Sequence, residues 1–122
     1  MSERVRRVNE LMRQVLADTL GELNDPSISR VTVTAVDCTR DFEHATVYVQ
    51  VGGNEVKRAR ALQGLERAKG VLQARIAREV RLRRTPHLRF AYDESIDYGR
   101  RMEQLIAENP PLPEPIVLDD EV

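Results

Sequence analysis

Two kinds of apolar spacing divide the chain. Val5, Val8, Met12, Val15, Leu16 and Thr19 recur at intervals of three and four, which gathers them on one side of a helix over residues 3–20. Arg6, Arg7, Arg13 and Gln14 fall elsewhere on it. Ser2 stands where an N-cap belongs, Gly21 where the helix should stop, and Asn24-Asp25-Pro26-Ser27 reads as a turn.

The interval then shortens to two. Val31, Val33 and Ala35 alternate with Thr32 and Thr34, and the phase slips at Val36 and Cys38, where a bulge is expected. Ala45, Val47, Val49 and Val51 alternate with Thr46, Tyr48 and Gln50. The short link Thr39-Arg40-Asp41-Phe42-Glu43 makes these two strands an antiparallel hairpin. After Pro86, Leu88, Phe90 and Tyr92 alternate with His87, Arg89 and Ala91 in a third strand, with Phe90 and Tyr92 expected in the core. The other side of the sheet should then show Thr32, Thr34, Thr46, Tyr48, Gln50, His87 and Arg89.

Between the second and third strands the helical interval returns. Asn54 is placed to cap a helix burying Val56, Ala59, Leu62 and Leu65. Leu72, Ile76 and Val80 continue at i+4 on what reads as a second helix, the pair meeting at Ala68-Lys69-Gly70. Gly64 costs a helix about 1 kcal/mol relative to Ala, so either close packing or local weakness is expected there. The order is α-β-β-α-α-β: an α+β domain, a three-stranded sheet with helices on one face. It should occupy residues 1–93. A C-terminal helix over 94–108, built on Ile96–Ile106, and an acidic, Pro-rich flexible tail over 109–122 would follow.

Charge sharpens this picture. The net charge of −1 over 122 residues conceals a split: residues 1–92 hold 17 basic and 11 acidic side chains, and residues 93–122 hold 2 basic and 9 acidic. From Lys57 to Arg89 there are eleven basic residues and two acids, a net of +9. A solvated surface does not require such an imbalance, and a polyanion is the natural partner. On a wheel at about 100° per residue, Arg75, Arg78 and Arg81 cluster roughly opposite the Leu72-Ile76-Val80 stripe. Only five aromatics are present, so a folded RNA met by shape and backbone suits the chain better than a base-stacked single strand. Two other readings remain open: a binder of messenger RNAs, and a protein-interaction module using the apolar patches or the polar sheet face.

Catalytic chemistry is poorly represented, and no enzyme is expected. His44 and His87 have no Cys or His at ligand spacing; there is no phosphate-cradling Gly-rich loop and no nucleophile elbow. Asp93-Glu94 reads as a helix N-terminus. No cofactor or metal is expected. The single cysteine, Cys38, suits a reducing compartment and a buried position. No leader is expected, since Met-Ser-Glu-Arg-Val-Arg-Arg lacks an apolar run behind its charges, nor is a membrane span. The expected location is the cytoplasm.

The α-β-β-α-α-β order is that of type II KH domains, in which a Gly-x-x-Gly loop clamps nucleic-acid backbone between paired helices. Here Ala68-Lys69-Gly70 takes that place, and an Ala-x-Gly kink resembles the ribosome-binding factor A family of small-subunit assembly proteins. Arg4-Val5 with Leu11-Met12, Asn24-Asp25-Pro26, Val31 to Val36, Arg40-Asp41 with Ala45 to Val49, Arg81-Leu82-Arg83 with Pro86 to Phe90, and Tyr92-Asp93 carry the resemblance from residue 4 to about 106. It implies a non-enzymatic factor that binds the small (30S) subunit through 16S rRNA near the decoding region, assists late maturation and rRNA processing, leaves with the help of an assembly GTPase and supports growth in the cold. A monomer is expected. By position, the RNA surface would comprise Ala68, Lys69 and Gly70 with the basic residues Lys57, Arg58, Arg60, Arg67, Arg75, Arg78, Arg81, Arg83 and Arg84.

Overall fold

The structure, a computed structural model, describes residues 2–95; the expected C-terminal helix and acidic tail lie outside the described residues. Helix α1 spans Glu3–Glu22. It is followed by a single 3-10 turn, Pro26–Ile28, strands β1 (Val31–Cys38) and β2 (His44–Val51), helix α2 (Glu55–Glu79) and strand β3 (His87–Tyr92). The sheet order is β1-β2-β3, β1 antiparallel to β2 as expected, and β3 parallel to β2.

Caps fix the helices where the sequence placed them. Ser2 Oγ accepts from Val5 N at 3.1 Å, and Asn54 Oδ1 accepts from Lys57 N at 3.0 Å, each satisfying one of the first-turn amides that a helix leaves unpaired. Gly21 does not stop α1, which runs one residue past it and ends at Leu23 in extended backbone. Asp25 instead shapes the exit, its carboxylate accepting from Ser27 N at 2.9 Å and Ser27 Oγ at 2.7 Å.

One core joins all the elements. Met12, Val15, Leu16 and Leu20 of α1 meet Val33, Val36 and Cys38 of β1, Ala45, Val47, Val49 and Val51 of β2, Leu88 of β3, and Ala61, Leu65, Leu72 and Ile76 of α2. Both helices therefore cover the same sheet face. The bulge falls where β1 changes register, between Val33 and Ala35. It turns Ala35 to solvent and Val36 inward, so the even-odd reading of Ala35 as a core position is corrected by one residue of slip.

The pair of helices expected to meet at Ala68-Lys69-Gly70 is one helix. Helical backbone runs unbroken from Glu55 to Glu79, and the three residues lie inside it. The physical reason is continuity of burial: Ala61, Leu65, Ala68, Leu72 and Ile76 form a single inward line, so the same sheet face holds both halves. Val56 and Ala59, expected inside, are exposed, Val56 at 61%. They lie off that line, and the place nearer to it in the first turn is taken by Arg58. Gly64 is on the inward side because nothing larger fits. A Cβ there would clash with Ser27 Oγ and sit 2.8 Å from Ile28 Cγ2.

Candidate nucleic-acid interface

Helix α2 supplies most of the expected binding residues, and its packing sorts them into rows. Its outward ridge carries Val56, Ala59, Gln63, Glu66, Gly70, Ala74 and Ala77, all exposed and almost all small or uncharged. The cations flank this ridge instead of crowning it. Toward α1 and the Pro26–Ile28 turn lie Lys57, Arg60, Arg67, Arg75 and Arg78; toward β3 lie Arg58 and Lys69.

The two flanks hold their cations by different chemistry. On the β3 side the Arg58 guanidinium lies 3.7 Å from the Tyr92 ring centroid, and Lys69 Nζ lies 5.9 Å from that of Phe90, attractions of the cation–π kind. Lys69 also pairs with Glu66 at 2.9 Å. Phe90 and Tyr92, expected to be core residues, are only half-buried. Their strand is the outermost one next to β2, and cationic side chains cover them in place of apolar ones. Tyr92 is further fixed by Gln50, whose Nε2 donates to its hydroxyl at 2.8 Å.

On the other side, carboxylates hold two of the arginines. Arg75 Nη2 lies 2.8 Å from Glu22 Oε1 at the end of α1, and its Nε lies 3.6 Å from Glu79. Its side chain is 22% exposed, and the Glu22 partnership raises its pKa while lowering that of the glutamate. Arg67 Nη2 approaches Asp25 at 3.6 Å and donates to Ser27 Oγ at 3.3 Å. The expected cluster of Arg75, Arg78 and Arg81 is thus divided. Arg75 clamps α2 to α1, Arg78 is exposed in the last turn of α2, and Arg81 is exposed beyond the helix end.

Arg81, Arg83 and Arg84, all exposed, continue the basic surface along the connection to β3. Arg83 and Arg84 line a cleft of about 230 Å³ together with Arg4, Phe42 and Glu43. Arg84 approaches Glu43 at 3.9 Å, and Arg4 lies over the Phe42 ring at 5.2 Å. Gly70 is exposed, with open space where its Cβ would be, and Ala68 is half-buried beneath the ridge. Two cations escaped the sequence reading. Arg4 reaches the α2 exit from α1, and Arg30 stands beside Lys57 and Arg60 from the turn before β1. Neither lies in the basic run, and only folding brings them to it.

The polar sheet face is built as expected, with one pairing the spacing did not reveal. His44 and His87 are register partners, their rings stacked at 5.9 Å. Among the described residues no group of His, Cys, Asp and Glu could hold a metal ion. Asp93 Oδ1 accepts from Ser95 N at 3.0 Å and Ser95 Oγ at 2.6 Å, and its Oδ2 accepts from Thr34 Oγ1 at 2.6 Å. These bonds, those of Ser95 first, lower its pKa. Among the described residues no helix is long and apolar enough to cross a membrane.

A small sheet covered on one face by two helices, with cations on each flank of α2, defines an α+β domain of the KH kind. The family model of ribosome-binding factor A matches residues 4–106. The chain belongs to the ribosome-binding factor A family. It is 44% identical over 109 residues to the ribosome-binding factor A of Macrococcus caseolyticus, covering 88% of this chain and 96% of that one. The solution structure of a Thermotoga maritima protein described as a ribosome-binding factor A superposes with a TM-score of 0.70 at 30% identity, covering 80% of this chain and 93% of that one. A homology model of Thermus thermophilus ribosome-binding factor A, fitted into the cryo-electron-microscopy map of a complex with the 30S subunit, gives a TM-score of 0.59 at 35% identity, covering 70% of this chain and 91% of that one.

Proposed function

We propose that this chain binds the small ribosomal subunit by laying the cation-flanked ridge of α2 on 16S rRNA. The observation that carries the reading is the arrangement of the ridge. The small residues Ala59, Gly70, Ala74 and Ala77 let a phosphate backbone approach closely, while Lys57, Arg60, Arg67 and Arg78 flank it on one side and Arg58 and Lys69 on the other. Release of counterions from the neutralised phosphates would supply most of the affinity. The 30S complex of the Thermus thermophilus relative supports the same partner here.

On this reading the factor acts without catalysis. It favours one conformation of the precursor RNA by its differential affinity for it, so assisting late maturation and 16S rRNA processing in the cytoplasm as a monomer. Release would be assisted by an assembly GTPase, and the need for the factor would be greatest in the cold. The test is sedimentation with small subunits across a salt series. Reversing Arg78, Arg81 and Arg83 to Glu together, all exposed and none of them hydrogen-bonded to Glu22 as Arg75 is, should weaken binding. It should also reduce the log–log salt slope by roughly 0.7–0.9 per lost phosphate contact. Unchanged affinity and slope would refute this docking surface.

A further inference from the structure

A cleft of about 430 Å³ opens between the Pro26–Ile28 turn, the end of β2 and the first turns of α2. That is within the roughly 300–1,000 Å³ range of small-ligand sites. It lies about 15 Å along the α2 axis from Gly70, at 1.5 Å per residue from Arg60. Its lining joins Pro26, Val51 and Gly52 to the cations Arg30, Lys57 and Arg60, with Asp25 and Ser27 at the turn.

Three details separate this cleft from ordinary surface. First, among the described residues none of its three cations forms an ion pair, whereas Arg67 and Arg75 on the same helix flank both do. Second, the one acid of the lining, Asp25, is already engaged by Ser27 and Arg67 and does not neutralise the mouth. Third, Lys57 is held in place by a glycine. Gly53 has φ +111, and a Cβ on it would lie 2.6 Å from Lys57 Cδ, so the lysine stem rests on bare backbone. The site therefore combines a small, largely apolar slot with three cations that form no ion pair among the described residues. That combination fits a ligand with a flat, weakly polar body and an attached phosphate.

Resting on the RNA-binding reading above, we infer that this cleft is a subsite for a single unpaired nucleotide of the bound RNA. The base enters between Pro26, Val51 and the stem of Arg60, and its phosphates meet Arg30 and Lys57. An extruded base gains stacking on side-chain planes and apolar groups, while the flanking duplex stays on the ridge of α2. The site thus gives a shape-reading surface one position at which an unpaired nucleotide is required.

The full chain tests this with two RNA hairpins that differ by one bulged nucleotide, followed by fluorescence anisotropy, and with 5′-AMP and inorganic phosphate followed by backbone-amide NMR. The bulged hairpin should bind about tenfold more tightly than the fully paired one. Arg30→Ala, which lies off the α2 ridge, should remove most of that difference while changing binding of the paired hairpin by no more than about twofold; circular dichroism confirms its fold. 5′-AMP should shift the amides of Ser27, Arg30, Gly52 and Lys57 saturably, and phosphate should not. Equal affinity for the two hairpins, with salt-dependent binding intact, overturns the subsite and leaves the RNA reading standing. Loss of binding to both hairpins and to small subunits overturns both. Shifts with 5′-AMP but no preference for the bulge would assign the cleft to a free mononucleotide and overturn the RNA subsite. Equal shifts with phosphate would reduce it to a charge contact and overturn recognition of the base.

Discussion

Gly64 and Gly70 are six residues apart on one helix, and they are glycine for opposite reasons. Gly64 faces inward, pressed on Ser27 and Ile28 so closely that a methyl group has no room. Gly70 faces outward with open space around it. Packing therefore demands the first and says nothing for the second, although each costs the helix about 1 kcal/mol relative to Ala. The same contrast holds between the two sides of α2. Its inner line is specified by the core, and its outer ridge is free of any demand the fold makes. A bare, flexible residue kept on a surface the fold leaves alone is expected where another molecule's backbone comes close.

Substitutions can break this contrast, beginning with the largest effect. Leu72→Ala empties a fully buried position just beyond Gly70 and should cost about 2–5 kcal/mol in urea denaturation. A loss below about 1 kcal/mol would mean that the second half of α2 is not held on the sheet as firmly as the first. Gly64→Ala should cost about 1–3 kcal/mol, because the Ser27 hydroxyl can rotate away whereas Ile28 is buried on all sides and cannot. Gly70→Ala should have the opposite sign, stabilising the isolated protein by up to about 1 kcal/mol while weakening sedimentation with small subunits. If it leaves sedimentation unchanged, the outer ridge is not approached closely.

The smallest effect concerns the ties at the rim. Glu22→Gln removes the main partner of Arg75 and should lower the urea midpoint only slightly, and less still at high salt. The carboxylates of Asp25 and Asp93 are held below their usual pKa, the first by hydrogen bonds from Ser27 and then by Arg67, the second by hydrogen bonds from Ser95 and Thr34. Each is depressed in the folded state, so its contribution is complete above the ordinary value of 3.8 and is lost as pH falls through the lower folded value. Stability should therefore decline below about pH 4. Asp93→Asn should flatten that decline in a series of thermal melts, and an unchanged profile would remove Asp93 from the account. The Cys38 thiol behaves in the other direction. Burial, with help from Asp37, pushes it up to about 11, so the native chain should resist alkylation at pH 8 while the urea-unfolded chain reacts.

Much of the architecture was legible along the chain because local rules and the final fold agree. The alternation of Val47, Val49 and Val51 with Tyr48 and Gln50 needs only the two-residue period of a strand, and Asn54 needs only a helix after it to act as a cap. The basic run from Lys57 to Arg89 likewise pointed to an anionic partner by composition alone. Where the reading slipped, a neighbour from elsewhere made the decision. Ala35 turned outward because one extra residue is absorbed in β1 opposite β2. Phe90 and Tyr92 are half-open because β3 sits at the sheet edge under Arg58 and Lys69. The break expected at Ala68-Lys69-Gly70 is absent because a single sheet face holds both halves of α2.

The sequence by itself determined the elements, the family and the sign of the surface, since period, caps and charge count are properties of residues close together in the chain. Only the tertiary structure decided which cations meet a carboxylate among the described residues and which do not. Arg75 meets Glu22 across 53 residues and Arg67 meets Ser27 across 40, whereas Arg30 joins Lys57 and Arg60 around one cleft. Charge interactions depend on distance in space, which no spacing along a chain contains.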